Sequence, residues 1–358
     1  MSAINATITS SASRFALPVN VAVVGATGAV GQVVVELLAE RSFPVGDLHL
    51  LASERSAGTS VAFGNRHVRV RQLDGFDFSQ VAIAFFAAGS EIAARFAGLA
   101  AAAGCTVIDK SSHFRMHPEV CLVVPEVNGA DLAMDQAGAR GGRIIASPNC
   151  STIQLVVALK PLHDAFGLVR INIATYQSVS GAGRGGVEAL AGQTARLLNG
   201  QPSDDAVFPR QIAFNVIPQV ETFGVGGYTT EELKIIHESR RVLGIPDLRV
   251  NPTCVRVPVF YGHSQAVHLE TRDKAHAQAA REVLAAAPGV KVLDDPSSGS
   301  YPTAVSEGAG QDAVWVGRIR EDMSHERGLN LWIVSDNIRK GAALNSVQIA
   351  EQLLTGLC

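Results

Sequence analysis

The segment "VNVAVVGATGAVGQVVVELLAERSFP", Val19 to Pro44, constrains the fold more than any other part of the chain. It reads as a short apolar strand, a glycine turn and an amphipathic helix that stops before Pro44. The spacing Gly25-x-x-Gly28-x-x-Gly31 lets the backbone approach a ligand, and the amides that open the helix suit a pyrophosphate. Glycines spaced this way also serve simply to tighten a strand–helix turn. Here the turn lies near the N-terminus, and "DLHLLAS", "VAIAFFAAG" and "GCTVIDKSS" continue the strand–helix alternation. That context favours a dinucleotide-binding, doubly wound sheet.

A chain of 358 residues exceeds one ordinary domain. After Leu162 the pattern changes. "INIATYQSV", "RVNPTCVRVPVFYG", "SQAVHLETR", "AVWVGRIRED" and "GLNLWIVSD" alternate as strands, with helices at "GGVEALAGQTARLL", "TTEELKIIHESRRVLG" and "AHAQAAREVLAAA". This predicts a second α+β domain on a largely antiparallel or mixed sheet. The boundary falls near Cys150, giving units 19–149 and 150–337, and the final helix within 338–358 is expected to return to the first unit. Residues 1–18, rich in Ser and Ala with Arg14 as their one charge, read as a disordered extension rather than a transit peptide.

The formal net charge of −3 provides no basic field, so nucleic acid is not an expected partner. No apolar run is long enough to span a bilayer. The five cysteines, Cys105, Cys121, Cys150, Cys254 and Cys358, are widely spaced with no CxxC pair. That pattern argues against a disulfide framework or a metal site and for a reducing, cytoplasmic location.

Cys150 differs from the others in its setting, "SPNCSTIQLVVALKPL". Ser147-Pro148-Asn149 breaks a strand, and a long apolar helix begins around Ser151. A thiol there feels the positive end of the helix dipole, which favours thiolate, although a buried structural cysteine is the common case. A nucleophile needs a base, and His263 in "FYGHSQAVHLE" is the best candidate, with His268 on the opposite strand face. Arg256, flanked by apolar residues on a predicted strand, needs an acid partner or an anionic ligand. Glu231 and Lys234 share one helix face, where a solvated ion pair is the plain alternative to a site.

With these residues in place, the chain resembles the aspartate-semialdehyde dehydrogenase family over almost all of its length after about residue 20. The resemblance rests on "VAVVGATGAVG", "LLASERSAG", "DKSSHFRM", "VVPEVN", "SPNCSTIQ", "YQSVSGAGRGG", "GYTTEELK", "VRVPVFYGHS" and "SDNIRKGAALNSVQIAE", in the family's order. It implies an α/β protein: a Rossmann-like domain, then a catalytic and dimerisation domain of the glyceraldehyde-3-phosphate-dehydrogenase-like type. It further implies reversible NADPH-dependent conversion of aspartyl β-phosphate to the semialdehyde and phosphate, in lysine, threonine and methionine synthesis.

Carried over residue by residue, the resemblance makes Cys150 the nucleophile, with Asn149 helping to set the thiol. It makes His263 the acid/base group, and Gln177 the amide that orients the substrate. Arg256 would clamp the α-carboxylate, Glu231 would meet the ammonium, and Arg115 with Lys234 would hold the phosphate. For NADP(H), Thr27, Gly28, Ala29 and Val30 match the pyrophosphate turn that begins at Gly25. Arg55 and Ser56 match the 2′-phosphate position, where Glu54 is a complication. Ser180, Gly181 and Asn337 match contacts near the nicotinamide. The expected partners are these small molecules and a second copy, as a homodimer or a tetramer, joined through the second sheet.

Three features depart from the family pattern. Lys110 and His113 stand where smaller or uncharged residues are expected, "GARGGR" at Gly138–Arg143 looks like an expanded surface loop, and the N-terminal extension has no counterpart. The rival N-acetyl-γ-glutamyl-phosphate reductase acts on a substrate without a free ammonium, which would leave Glu231 without work. A catalytically silent paralogue would be expected to lack Cys150, and a plain Rossmann binding module fails on the thiol and the second domain.

Overall fold

The computed structural model describes residues 17–134, 142–203 and 207–356. Most of the N-terminal extension, most of the "GARGGR" stretch and Cys358 lie outside the described residues. The first half alternates as β1 (Val19–Val24), α1 (Ala29–Glu40), β2 (Val45–Ala52), β3 (Ser60–Phe63), β4 (Arg66–Gln72), β5 (Ile83–Phe86), α2 (Ser90–Ala102) and β6 (Thr106–Asp109). Then come β7 (Cys121–Leu122), the short α3 (Pro125–Asn128) and α4 (Asp131–Met134), β8 (Ile144–Ala146) and the long α5 (Cys150–Phe166).

These strands form one eight-stranded sheet in the order β3-β4-β2-β1-β5-β6-β8-β7. All its pairings are parallel except the β3–β4 hairpin. β1 is apolar from Val21 to Val24 because both of its faces are covered there. Val21 and Val23 pack toward α1 and the C-terminal helix, whereas Ala22 and Val24 pack toward α2. Strand order reverses between β2 and β5 on either side of β1, and the glycine turn after β1 lies at that switch point. Gly25 has φ +84°, and a Cβ on Gly31 would lie 2.1 Å from the Gly25 carbonyl oxygen. The first turn of α1 can therefore sit on the loop only if both positions lack side chains.

The second half contains β9 (Leu168–Gln177), α6 (Gly183–Leu198), α7 (Thr230–Leu243), β10 (Arg249–Arg256) and β11 (His263–Thr271). It continues with α8 (Ala277–Ala285), β12 (Val290–Val292), β13 (Val314–Glu321), β14 (Gly328–Ser335) and α9 (Asn345–Thr355). Its six-stranded sheet runs β10-β9-β11-β14-β13-β12. The central pairings are antiparallel and the two outer ones parallel, so the sheet is mixed. α5 is buried from Ser151 to Leu159 and shares one core with α7, α8 and the inner face of this sheet. α9 packs instead with β1, α1 and β5 of the first sheet.

Two local devices fix the helices around the site. Thr229 caps α7 and exchanges bonds with Glu232 in a capping box, while the other Glu232 oxygen accepts from the Cys254 amide on β10 at 2.9 Å. Between β14 and α9, a wide π-type turn at Arg339–Leu344 carries Lys340, which is fully buried. Its ammonium donates to both Glu126 oxygens at 2.6 and 2.7 Å and to Gln348 at 2.7 Å.

The end of the "GARGGR" stretch departs from the surface loop expected there. Arg143 is buried, and its guanidinium donates to the Leu132 carbonyl at 3.2 Å. This long side chain is drawn inward because α4 ends in a carbonyl that needs a donor.

Removing one partner of a buried ion pair strands the other charge, so Lys340→Met is expected to lower unfolding stability by about 3–5 kcal/mol. Urea denaturation measures this, and a loss under about 1 kcal/mol would show that Glu126 finds water instead.

Candidate active site

Cys150 is the first residue of α5, at the carboxyl end of the parallel strands where doubly wound sheets place their ligands. Asn149 caps the helix, its side-chain oxygen accepting from the Ser151 amide at 2.8 Å. A cavity of about 390 Å³ opens over the thiol and is lined also by Gln177, Gly181, Glu231, Arg256 and His263. Strand register explains why residues so far apart in sequence meet here. β9 and β10 run parallel with Arg256 opposite Gln177 at their ends, and β11 starts at the same edge with His263 opposite Ser335 of β14.

Glu231 is the hub of the polar network. Its carboxylate accepts from the Asn149 side-chain amide at 2.9 and 3.0 Å and from Gln177 at 2.9 Å, and it faces the Lys234 ammonium at 3.5 Å. It is almost fully buried, so the solvated pair allowed by the sequence is excluded. Gln177 also donates to the Ser151 hydroxyl. Two turns further along α7 on the same face, Glu238 accepts from the Asn149 backbone amide at 2.6 Å and from Arg115 at 3.0 Å. Arg115 completes its fork on the carbonyls of Ser147 and Lys110.

Arg256 is buried, yet among the described residues its guanidinium has no carboxylate partner and donates to the Ser178 carbonyl at 2.7 Å. Burial lowers its pKa, with Glu231 opposing. An uncompensated buried cation at the wall of a cavity marks a place for an anion. Lys110, a departure from the family pattern, joins this group by donating to the Pro148 carbonyl at 2.6 Å. Burial, and then Arg115, push its pKa down to about 7. His113, the other departure, is exposed and stacks edge-on against Phe114.

The ionisation of the two central groups differs from what the helix position suggested. Burial, and then Glu231, raise the Cys150 thiol above its ordinary pKa, and Lys110, Arg115 and Arg256 oppose without prevailing. The helix start pulls the group toward thiolate, whereas burial and Glu231 pull it toward thiol. Burial, reinforced by Arg256, pushes His263 down to about 3. Its Nδ1 accepts from the Ser178 amide at 3.1 Å, so the neutral ring carries its proton on Nε2. Nε2 is buried and has no hydrogen-bond partner among the described residues. Resting His263 is thus a hydrogen-bond donor awaiting an acceptor.

The residues expected at the cofactor occupy three places. Gly28 is the N-cap of α1 and offers no side-chain cap to the amides that open the helix at Ala29 and Val30. Thr27 belongs to this turn, and the combination fits a pyrophosphate. Glu54, Arg55 and Ser56 form a single helical turn after β2, with Glu54 and Arg55 exposed. Ser180 and Asn337 are buried and bonded to one another, and the Asn337 oxygen also accepts from Ser178 and from the Gly262 amide. Their side chains thus hold the His263 loop in place. A second cavity of about 280 Å³ runs from Ala29 and Gln32 to Ser180 and Tyr261.

Two family models match the chain: "Semialdehyde dehydrogenase, NAD binding domain" over residues 20–134, and "Semialdehyde dehydrogenase, dimerisation domain" over residues 159–340. A curated aspartate-semialdehyde dehydrogenase of Shewanella sp. (strain DB6705) is 54% identical over 94% of this chain and 97% of its own. Another, from Bacillus subtilis (strain 168), is 46% identical over 93% and 97%. The chain belongs to the aspartate-semialdehyde dehydrogenase family. The solved structure of aspartate semialdehyde dehydrogenase II from Vibrio cholerae, complexed with ASA, superposes with a TM-score of 0.91 at 52% identity, covering 94% of this chain and 98% of that one.

Within this aspartate-semialdehyde dehydrogenase fold, sequence reasoning missed several neighbours of the thiol. Glu238 was legible in principle, since it follows Glu231 by two helical turns and so shares its face. Ser151, Ser178 and Glu221 carried no signal of their own. Neither did Gly341, where a Cβ would lie 2.9 Å from the Cys150 Cβ. The π-type turn can therefore back Cys150 only through a glycine.

A raised thiol pKa predicts that alkylation of Cys150 by iodoacetamide accelerates steadily from about pH 7 to about pH 9 without levelling off. Mass spectrometry of peptides labelled at each pH measures the rate. A plateau below about pH 8 would reveal a thiolate that the cations stabilise after all.

Proposed function

We propose that this chain reduces L-aspartyl 4-phosphate to L-aspartate 4-semialdehyde with NADPH, reversibly, through a thioester on Cys150. The observation that carries the reading is the cavity over Cys150, which presents a buried unpaired guanidinium, Arg256, opposite a buried carboxylate, Glu231. Such a pair suits an α-carboxylate and an α-ammonium held at opposite ends of one small molecule. The acyl phosphate would then lie toward Arg115 and Lys234. An N-acetylated substrate offers Glu231 no cation, which disfavours the glutamyl rival.

Attack of the Cys150 sulfur on the acyl carbon forms the C–S bond and breaks the C–O bond to phosphate. The thiol proton ends on the departing phosphate, so charge and atoms balance without a prior thiolate. The His263 Nε2–H can donate to the acyl oxygen as negative charge collects there. Gln177, fixed by Ser151 and Glu231, turns its amide along the cavity wall and limits how the substrate lies. NADPH, when bound, supplies the hydride that takes the thioester to the aldehyde level. Collapse of the thiohemiacetal breaks the C–S bond and frees the Cys150 sulfur as thiolate, and a proton taken up from water restores the thiol.

We assign the cofactor to residues 19–149, closed by the helix within 338–358, and catalysis and dimerisation to residues 150–337. The 2′-phosphate reading rests on Arg55 and Ser56. Self-association is supported by the outer face of the second sheet, where Tyr176, Tyr301 and Val305 are exposed around a groove of about 620 Å³. A reducing cytoplasm suits the cysteine pattern.

The reaction is tested by absorbance at 340 nm with semialdehyde, NADP and phosphate, where NADPH should form only when phosphate is present. Under saturating phosphate, Glu231→Gln should cost aspartate semialdehyde roughly 2–5 kcal/mol and leave an N-acylated analogue unharmed. Equal harm to both would mean that Glu231 only positions Lys234 and Gln177.

Arg55→Ala should weaken NADPH by about 1.5–3 kcal/mol, as for a charged hydrogen bond, and barely alter NADH. If the unaltered enzyme prefers NADH in the same titration, Glu54 governs the ribose and the 2′-phosphate reading is wrong.

A further inference from the structure

The two cations proposed for the phosphate are both engaged before any anion arrives. Arg115 is bound to Glu238, and the Lys234 ammonium lies 2.5 Å from Glu221 and 3.5 Å from Glu231. An incoming phosphate must therefore displace a carboxylate or share a cation with one. The three carboxylates are not equally able to leave. Glu231 and Glu238 are buried, with side-chain exposures of 4% and 2%, and are held by amides of Asn149 and Gln177 that depend on them. Glu221 is 41% exposed, and its second oxygen accepts from the Thr230 hydroxyl at 2.7 Å. It lines the cavity beside Gln219 and Val220 and holds a left-handed backbone, φ +64°. That backbone is uncommon for a residue with a Cβ, so a specific placement of the side chain is being maintained at some cost.

We infer that Glu221 is a specificity-determining competitor at the phosphate site: its carboxylate occupies Lys234 in the free enzyme and swings to solvent when phosphate takes the ammonium. The inference rests on the reading above, in which Lys234 receives phosphate. Electrostatics makes Glu221 useful in both states. Without ligand it neutralises an ammonium that would otherwise add to the repulsion among Lys110, Arg115 and Arg256. With ligand it is the carboxylate that can reach water, so only a trianionic or dianionic group with several oxygens repays its displacement. A monoanion such as the α-carboxylate would gain little over Glu221 itself, and this directs the carboxylate end of the substrate to Arg256.

The test uses the full chain in the phosphate-consuming direction. Glu221→Gln removes the charge and keeps the length, and Glu221→Asn is the substitute if the first variant fails to fold, because Asn tolerates a left-handed backbone. The expected result is a KM for phosphate lower by roughly three- to fivefold, the size of a partly exposed ion pair. Phosphate should also protect Cys150 from iodoacetamide at a correspondingly lower concentration, a readout that needs no turnover. A phosphate KM that stays level or rises would overturn the inference, since Glu221 would then be idle or would serve to hold Lys234 in place. Lys234→Met separates the two levels of the argument. If it leaves phosphate binding intact, the reading of Lys234 as a phosphate ligand fails and the inference falls with it. If it raises the phosphate KM while Glu221→Gln does not lower it, the role of Glu221 alone is wrong.

Discussion

The tie between α7 and the start of α5 is the interaction on which the site depends. Glu231 holds the Asn149 side chain, and Glu238 holds the Asn149 backbone amide. Asn149 in turn caps α5 directly before Cys150. A cap that is itself held by two buried carboxylates fixes the nucleophile more firmly than a solvated cap could, because neither carboxylate can trade its partner for water. The capping box at Thr229 and Glu232 sets where α7 begins, and the Cys254 amide sets where it lies against β10. Small errors at that helix start would be carried to the thiol.

Around this tie the site collects Lys110, Arg115, Lys234 and Arg256 as cations against Glu221, Glu231 and Glu238. Desolvation makes each unmatched charge costly, which is why Arg256 is lowered by burial and why Lys110 falls to about 7. The same desolvation raises the thiol. The site proposed for phosphate thus gathers charges that are individually unfavourable while unmatched. The turn behind Cys150 is anchored separately, by the buried Lys340–Glu126 pair.

Much of this was legible beforehand. The glycine turn between an apolar strand and a helix pointed to the parallel sheet, because those residues can serve few other geometries. Cys150 after Ser147-Pro148-Asn149 pointed to a helix start, and the start lies at Cys150 itself. Glu231 and Lys234 were read as sharing a face, and Glu238 extends that face by the same periodicity. At Cys150 only the helix dipole was legible, because it is a local property, whereas burial and the carboxylate of Glu231 come from another element. Arg143 was placed outside for a similar reason: its acceptor, the Leu132 carbonyl, belongs to a helix end that the sequence does not locate.

The sequence by itself determined which elements form, because periodicity, caps and glycine spacing act within a few residues of one another. It also determined the family, because many short motifs occur in one order. Only the tertiary structure decided that Gln177, Arg256 and His263 converge, since strand register across β9, β10 and β11 brings them to one edge. It alone decided that His263 presents a proton at Nε2, because the donor that occupies Nδ1 is the amide of Ser178, 85 positions away along the chain. Contacts of that range are set by how two sheets pack around α5, and no local pattern encodes them.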